Sequence, residues 1–237
     1  MESAGNASWN PPGTVQWVAM KAPELTLPAA VQQTLETLVS DGHRAVLVGP
    51  CVRALLGGHR APDFQLASSA PAERVLALFP QAVPIAPRYA RLMVPTPAGP
   101  VDVTRFRGGN RLEDDLAARD FTLDAIAYDP IAEGGPRLVD PKGGLRDLEA
   151  NRLRTVGPAR TRLEEDPLRA LRAARLVAEL PVKPDAELED AMAAVRGALP
   201  SIAAHRMRQE ISLLLLAPRP GAGLALLRRT GVEATVA

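Results

Sequence analysis

Apolar positions repeat with two different periods along this chain, and the change of period divides it. Pro28 can open a helix at its first turn, and Val31, Leu35 and Leu38 then recur at helical spacing until Asp41-Gly42 stops the run. Short apolar runs follow: "RAVLVG" reads as a strand, Cys51 to Leu56 as a helix, "DFQLAS" as a second strand and "PAERVLALF" as a helix behind a proline. "RLMVPT" and "PVDVTRF" read as neighbouring strands joined through Pro97 to Pro100, "LEDDLAARD" as a helix and "FTLDAIAYD" as an alternating strand. "RLVDPKGGLRDLEANRLRTVG" reads as a strand, a Gly turn and a short helix. From Arg162 the period is helical throughout. Leu168, Leu171, Ala174 and Leu176 recur there with Arg169, Arg172 and Arg175 between them, and three further helical runs follow.

This pattern predicts an α+β chain in three parts. Residues 1–24, rich in Pro, Gly, Ser and Asn without periodicity, have the composition of a disordered tail. Residues 25–156 form a mixed strand-and-helix unit, and residues 157–237 an all-helical one. At 237 residues and 46% apolar content the chain can bury a proper core. The balance of 28 Lys+Arg against 27 Asp+Glu creates no global field for nucleic acid or membrane, so any basic surface must be local. Aromatics at 3% leave few platforms for stacking bases, which argues against RNA readout of the RRM type. A lone cysteine, Cys51, excludes internal disulfides and a cysteine-rich zinc site, fits a reducing compartment, and reads as core packing. Neither a secretory signal nor a run of about 18 apolar residues is visible, so the expectation is a cytoplasmic protein without a membrane partner.

Candidate chemistry starts at "DFQLAS". Two residues apart in a strand point the same way, so Asp-x-Asp on a strand edge is a common magnesium holder; here the second position is Gln65. The ordered blocks "LVGPCVRALLGG…PDFQLASSA", "PVDVTRFR", "LEDDLAARDFTLDAIAYDP", "LVDPKGGLRDLEANRLRTVG" and "RLEEDPLRALRAARLVAEL" resemble the head and neck of class II tRNA nucleotidyltransferases, the CCA-adding enzymes, and the related bacterial poly(A) polymerases. The resemblance spans Val46 to Gly231. It implies a nucleotidyltransferase-type mixed β-sheet head with flanking helices, then a helical neck, with ATP or CTP held between them. It implies transfer of AMP or CMP to an RNA 3′ end, with carboxylates at Asp63 and Asp102 holding Mg²⁺. By the same resemblance Gly49 and Arg53 stand at the phosphate turn, Arg119 and Asp120 at sugar and phosphates, and Asp166 and Arg169 at the base edge.

Departures from the family pattern cluster at this site. Gln65 occupies the third carboxylate position; a Gln carbonyl can ligate Mg²⁺ but brings no charge and cannot bridge two ions, so the two-metal site is expected to be weakened or lost. The Gly-Gly turn becomes Gly49-Pro50, and the Arg-Asp pair after it becomes Arg53-Ala54, which leaves Arg53 without its neighbouring carboxylate. Ala86 and Ala90 stand where the flexible loop has glycines, implying a stiffer hinge. In the sugar motif Ala118 replaces an Arg and Asp124 an Asn, and the added carboxylate is expected to repel phosphates. The family's body and tail domains, which grip tRNA, are not expected after Ala237. Arg206, Arg208, Arg219, Arg228 and Arg229 then remain as a modest basic patch. The preferred reading is a degenerate member, a pseudoenzyme that retains nucleotide or RNA binding. The alternatives are an active Mg²⁺-dependent RNA 3′-terminal nucleotidyltransferase and a regulatory module that binds a protein partner.

Overall fold

The computed structural model describes residues 19–61, 63–86 and 91–236. In chain order the first part comprises β1 (Ala19–Lys21), α1 (Ala29–Ser40), β2 (Ala45–Val48), α2 (Pro50–Leu56), β3 (Phe64–Ser68), α3 (Ala72–Leu78), β4 (Val83–Ala86), β5 (Arg91–Val94), β6 (Val101–Arg105) and α4 (Leu112–Ala117). A 3-10 turn at Thr122–Asp124, β7 (Ala127–Asp129), β8 (Arg137–Val139), α5 (Gly144–Glu149) and β9 (Arg152–Leu153) complete it. The second part comprises α6 (Ala159–Glu165), α7 (Leu168–Glu179), β10 (Lys183–Pro184), α8 (Ala186–Val195), a 3-10 stretch at Arg196–Ser201, α9 (Ala204–Leu216), α10 (Pro220–Arg229) and α11 (Glu233–Val236).

The eight-stranded sheet runs β1-β8-β7-β2-β3-β6-β5-β4, antiparallel except for the parallel pair β3 and β6. Alternation sorts its residues onto two faces. Leu47, Leu66, Val103 and Leu92 lie in register on one face and pack with Val31, Leu35 and Leu38 of α1 and Val52 of α2. On the other face Val46, Val48, Ala67 and Ala127 are covered by Leu112 and Leu116 of α4 and by Phe106. The parallel ladder pairs Gln65 with Asp102 and Ala67 with Thr104, so Gln65 and Asp102 share this second face beyond the cover of α4. Cys51 is fully buried in the first core, as core packing requires.

A second core joins the helices to the 3-10 turn and to β9 beside the sheet. Leu168, Leu171 and Ala174 of α7 pack with Leu188 and Met192 of α8, Leu214 of α9 and Leu226 of α10, and Phe121, Leu123 and Leu153 belong to the same cluster. Asp185 caps α8 by accepting the Leu188 N–H at 2.9 Å. Where α10 crosses α7, a Cβ on Gly223 would stand 2.5 Å from the Ala174 carbonyl oxygen, so only glycine permits that approach.

Several expectations change. Residues 1–18 of the expected tail lie outside the described residues, and its end, Ala19–Lys21, is not without structure: β1 pairs with Arg137–Val139 as the sheet's edge. "FTLDAIAYD" is not one strand. Thr122 Oγ1 donates to Asp147 at 2.6 Å and the Thr122 N–H to the Arg154 carbonyl, which winds residues 122–124 into a 3-10 turn and leaves only Ala127–Asp129 in the sheet. Val83–Ala86, which carried no prediction, pairs with β5. The helical run begins at Ala159, behind Pro158, three residues before the expected Arg162. The helical part also contributes one two-residue strand, β10, parallel to β9. No helix of the described residues is long and apolar enough to cross a membrane.

Candidate functional site

Gly49 turns the chain from β2 into α2 with φ 77° and ψ −145°, a conformation that glycine alone takes without strain. A Cβ placed there would meet Gln65 Oε1 and Arg119 Nη1, each at 3.1 Å. Gly49, Gln65 and Arg119 therefore converge at one point. Arg119 is nearly buried and donates Nε and Nη2 to Asp115 Oδ2 at 2.9 and 2.8 Å, a bidentate hold across one helical turn. Pro50 occupies the first turn of α2, where its missing N–H costs no helical bond.

Arg53 does not lack a carboxylate. It bonds Asp124, so the acid missing at position 54 is supplied from the 3-10 turn 71 residues later. The expectation that Asp124 adds uncompensated negative charge is corrected by the same contact: the pair is locally neutral.

Beside this group, Gln65 lies in register with Asp102. Asp102 Oδ2 accepts from Arg91, through Nε at 3.1 Å and through Nη2. Asp63 sits in a bend one residue before β3, so strand alternation does not fix its side chain beside Gln65. It is exposed and lines a cavity of about 770 Å³ with Glu24, Leu27, His59, Phe64 and Gly99, whose walls include neither Gln65 nor Asp102. Among the described residues no three His, Cys, Asp or Glu side chains group as a metal site. The pair in register is one carboxylate held by arginine and one neutral amide, a donor set poor in charge for two divalent ions.

Where the helices meet the sheet, Asp120 accepts from Arg169 Nε and Arg172 Nη1, both at 2.6 Å. Burial would raise the Asp120 carboxyl, but Arg172 and Arg169 outweigh it and hold its pKa below the ordinary value. Glu210 of α9 accepts Arg172 at 2.9 Å and Arg175 at 2.8 Å. Arg169, Arg172 and Arg175, three apart on one helical face, are thus an ion-paired seam and not a solvated stripe. Arg169 also donates to Glu165 at 2.8 Å and to the Arg162 carbonyl. Arg162 donates in turn to the Ala118 and Arg119 carbonyls at 3.1 and 3.0 Å. Asp166 accepts from the Leu168 N–H at 3.2 Å and from Arg206 at 2.8 Å.

The expected basic patch is largely consumed internally. Arg206 pairs with Asp166, Arg219 donates to the Val177 carbonyl, Arg228 pairs with Glu233 and Arg229 with Glu189. Residues 87–90 and the side chain of Ala86, where a stiffer hinge is expected, lie outside the described residues. Sequence reasoning missed Arg91, Asp115 and Glu210. Asp115 and Arg119 carry the i, i+4 spacing of a helical ion pair, and Glu210 is the single acid of α9, opposite three spaced arginines.

Residues 95–154 match the poly(A) polymerase head domain, and residues 182–236 match the "Probable RNA and SrmB- binding site of polymerase A". Over 84% of its length the chain is 34% identical to a CCA-adding enzyme of Anoxybacillus flavithermus, of which it covers 53%. The same identity and share hold against a CC-adding tRNA nucleotidyltransferase of Shouchella clausii, of which it covers 51%. The fold superposes on the crystal structure of the Bacillus stearothermophilus CCA-adding enzyme in complex with CTP with a TM-score of 0.81 and 34% identity, covering 89% of this chain and 54% of that one. Over most of its length the chain is similar to members of the tRNA nucleotidyltransferase and poly(A) polymerase family. It spans about half the length of these relatives. A further member of similar fold, 27% identical with a TM-score of 0.75, is a tRNA nucleotidyltransferase complexed with a primer tRNA and an incoming ATP analog; 86% of this chain and 62% of that one are covered.

Proposed function

We propose that this chain binds a nucleotide, ATP or CTP, and an RNA 3′ end, and that its own transfer chemistry is weak or absent. Residues 25–156 act as the head and 157–237 as the helical neck. Gly49, Arg53, Arg119 and Asp120 lie on the phosphate and sugar side, and Asp166 and Arg169 on the base side. Support for the binding half comes from the family relatives with CTP or an ATP analog and from the convergence of Gly49, Gln65 and Arg119.

One observation carries the catalytic half: Gln65 stands in register with Asp102, and Asp102 is held by Arg91. In-line attack on a triphosphate needs its developing charge stabilised, and this arrangement offers one compensated carboxylate and a neutral amide. The test is calorimetry with ATP and CTP followed by extension of a tRNA lacking its terminal adenosine. Weak binding with undetectable extension is expected. Robust AMP or CMP incorporation that depends on Asp63 would establish the active enzyme, and no binding at millimolar nucleotide would favour a protein-interaction module on the same fold.

A further inference from the structure

Arg91 has no counterpart in the roles assigned so far, yet it is the one side chain that hydrogen-bonds the Asp102 carboxylate among the described residues, through two N–H groups. Both lie on the sheet face that carries Gln65. The ladder pairs Arg91 with Thr104 and Met93 with Asp102, so Arg91 sits diagonally across one strand spacing, within reach of a long side chain. Asp102 is largely covered, at 14% side-chain exposure, whereas the Arg91 side chain is 42% exposed. Nε and Nη2 are spent on a single oxygen, so the planar fork keeps N–H groups beyond those two bonds.

We propose that Arg91 is the resident cation of this sheet face: its guanidinium balances Asp102 in place of a divalent metal ion and makes nucleotide binding there independent of Mg²⁺. Loss of an anion at position 65 and presence of a cation at position 91 are complementary. A face with one carboxylate and a neutral amide needs one positive charge, and Arg91 supplies it without dehydrating a dication. A metal ion would have to displace that arginine and would then find one carboxylate and one amide.

The Mg²⁺ independence rests on the nucleotide-binding reading above; the displacement of metal does not. Mn²⁺ binding to the full chain without nucleotide, followed by electron paramagnetic resonance, therefore comes first. The wild-type chain and Q65D are expected to bind Mn²⁺ weakly, and Q65D with R91Q about tenfold or more tightly, as removing a unit charge at contact distance implies. Q65D with R91K, which keeps the charge, should resemble Q65D alone. If Q65D binds Mn²⁺ as tightly as Q65D with R91Q, or if the latter gains nothing, Arg91 is not what holds metal away and the proposal falls. Thermal melts of each variant confirm folding, which the exposed position of Arg91 favours. ATP titrations in excess Mg²⁺ and in chelator should then agree within about threefold. A large Mg²⁺ requirement overturns the proposal, whereas no ATP binding in either buffer defeats the nucleotide reading and leaves the Mn²⁺ comparison to decide the role of Arg91.

Discussion

Arg53 of α2 and Asp124 of the 3-10 turn form an ion pair across 71 residues of sequence, with side chains 9% and 20% exposed. Each is a departure when read alone: one arginine has lost its carboxylate, and one acid stands where the family has an asparagine. Together they restore a neutral pair. A double-mutant cycle on Arg53→Ala and Asp124→Ala should give a coupling energy of about 1–3 kcal/mol in urea denaturation. Additive losses would show that the two side chains do not hold one another.

Gly49 is the point where backbone conformation and close packing coincide. Its φ of 77° with ψ −145° is strained for any side chain, and the Cβ of alanine would stand 3.1 Å from both Gln65 Oε1 and Arg119 Nη1. Gly49→Ala should therefore cost about 1–3 kcal/mol of stability. Gly58, also at positive φ but with open space around its Cβ position, is the comparison: alanine there meets no neighbouring atom. Equal losses at both positions would mean that the crowding at Gly49 contributes nothing.

Much of this was legible from periodicity, and the remainder was not for identifiable reasons. The helical runs after Pro158 and the strands at 45–48, 64–68 and 101–105 follow directly from apolar spacing, because burial on one face sets that spacing. Thr122–Asp124 misled, since its alternation satisfies a strand template while Thr122 bonds Asp147 and Arg154. β1 and β4 are the two edge strands of the sheet, three and four residues long, too short to carry an alternation that can be read. At the site, single positions could be compared with a family motif, but compensation between positions could not. Arg53 with Asp124 and Arg91 with Asp102 are contacts between distant segments, visible only once the sheet is assembled.

Asp120 ties the head to α7 through Arg169 and Arg172. Its folded pKa lies below the usual 3.8, so in acid the carboxyl group binds fewer protons folded than unfolded. The stability it contributes is fully present above about pH 4 and is lost as pH falls through the folded value. The slope of stability against pH below about 4 should be shallower in Asp120→Asn than in the wild type, while near neutral pH that variant is weaker by about 1–3 kcal/mol. Asp147, whose carboxyl is also lowered, against burial, by Thr122, Arg152 and Arg154, retains its own share of the slope. Parallel acid profiles for wild type and Asp120→Asn would remove Asp120 from the linkage.

Base recognition is the last role to assign, and the contacts of Asp166 and Arg169 make it conditional. Arg169 spends donors on Asp120, Glu165 and the Arg162 carbonyl, and Asp166 gives one oxygen to Arg206 and the other to the Leu168 N–H. A base edge offered to Asp166 must compete with Arg206, which is 40% exposed and so releasable. Arg206→Ala should then tighten ATP or CTP by about two- to fivefold, the scale of an exposed ion pair, with little change in melting temperature. Arg169→Ala should weaken the same nucleotides by about 10- to 100-fold, because a charged hydrogen-bonding contact is worth about 1.5–3 kcal/mol, but it also frees Asp120 and lowers stability. Arg172→Ala separates the two effects, since it too removes a donor from Asp120, together with one from Glu210, without touching the proposed base contact. If Arg172→Ala weakens nucleotide as much as Arg169→Ala does, Arg169 acts only through the seam. An unchanged affinity in Arg206→Ala would in turn place the base away from Asp166.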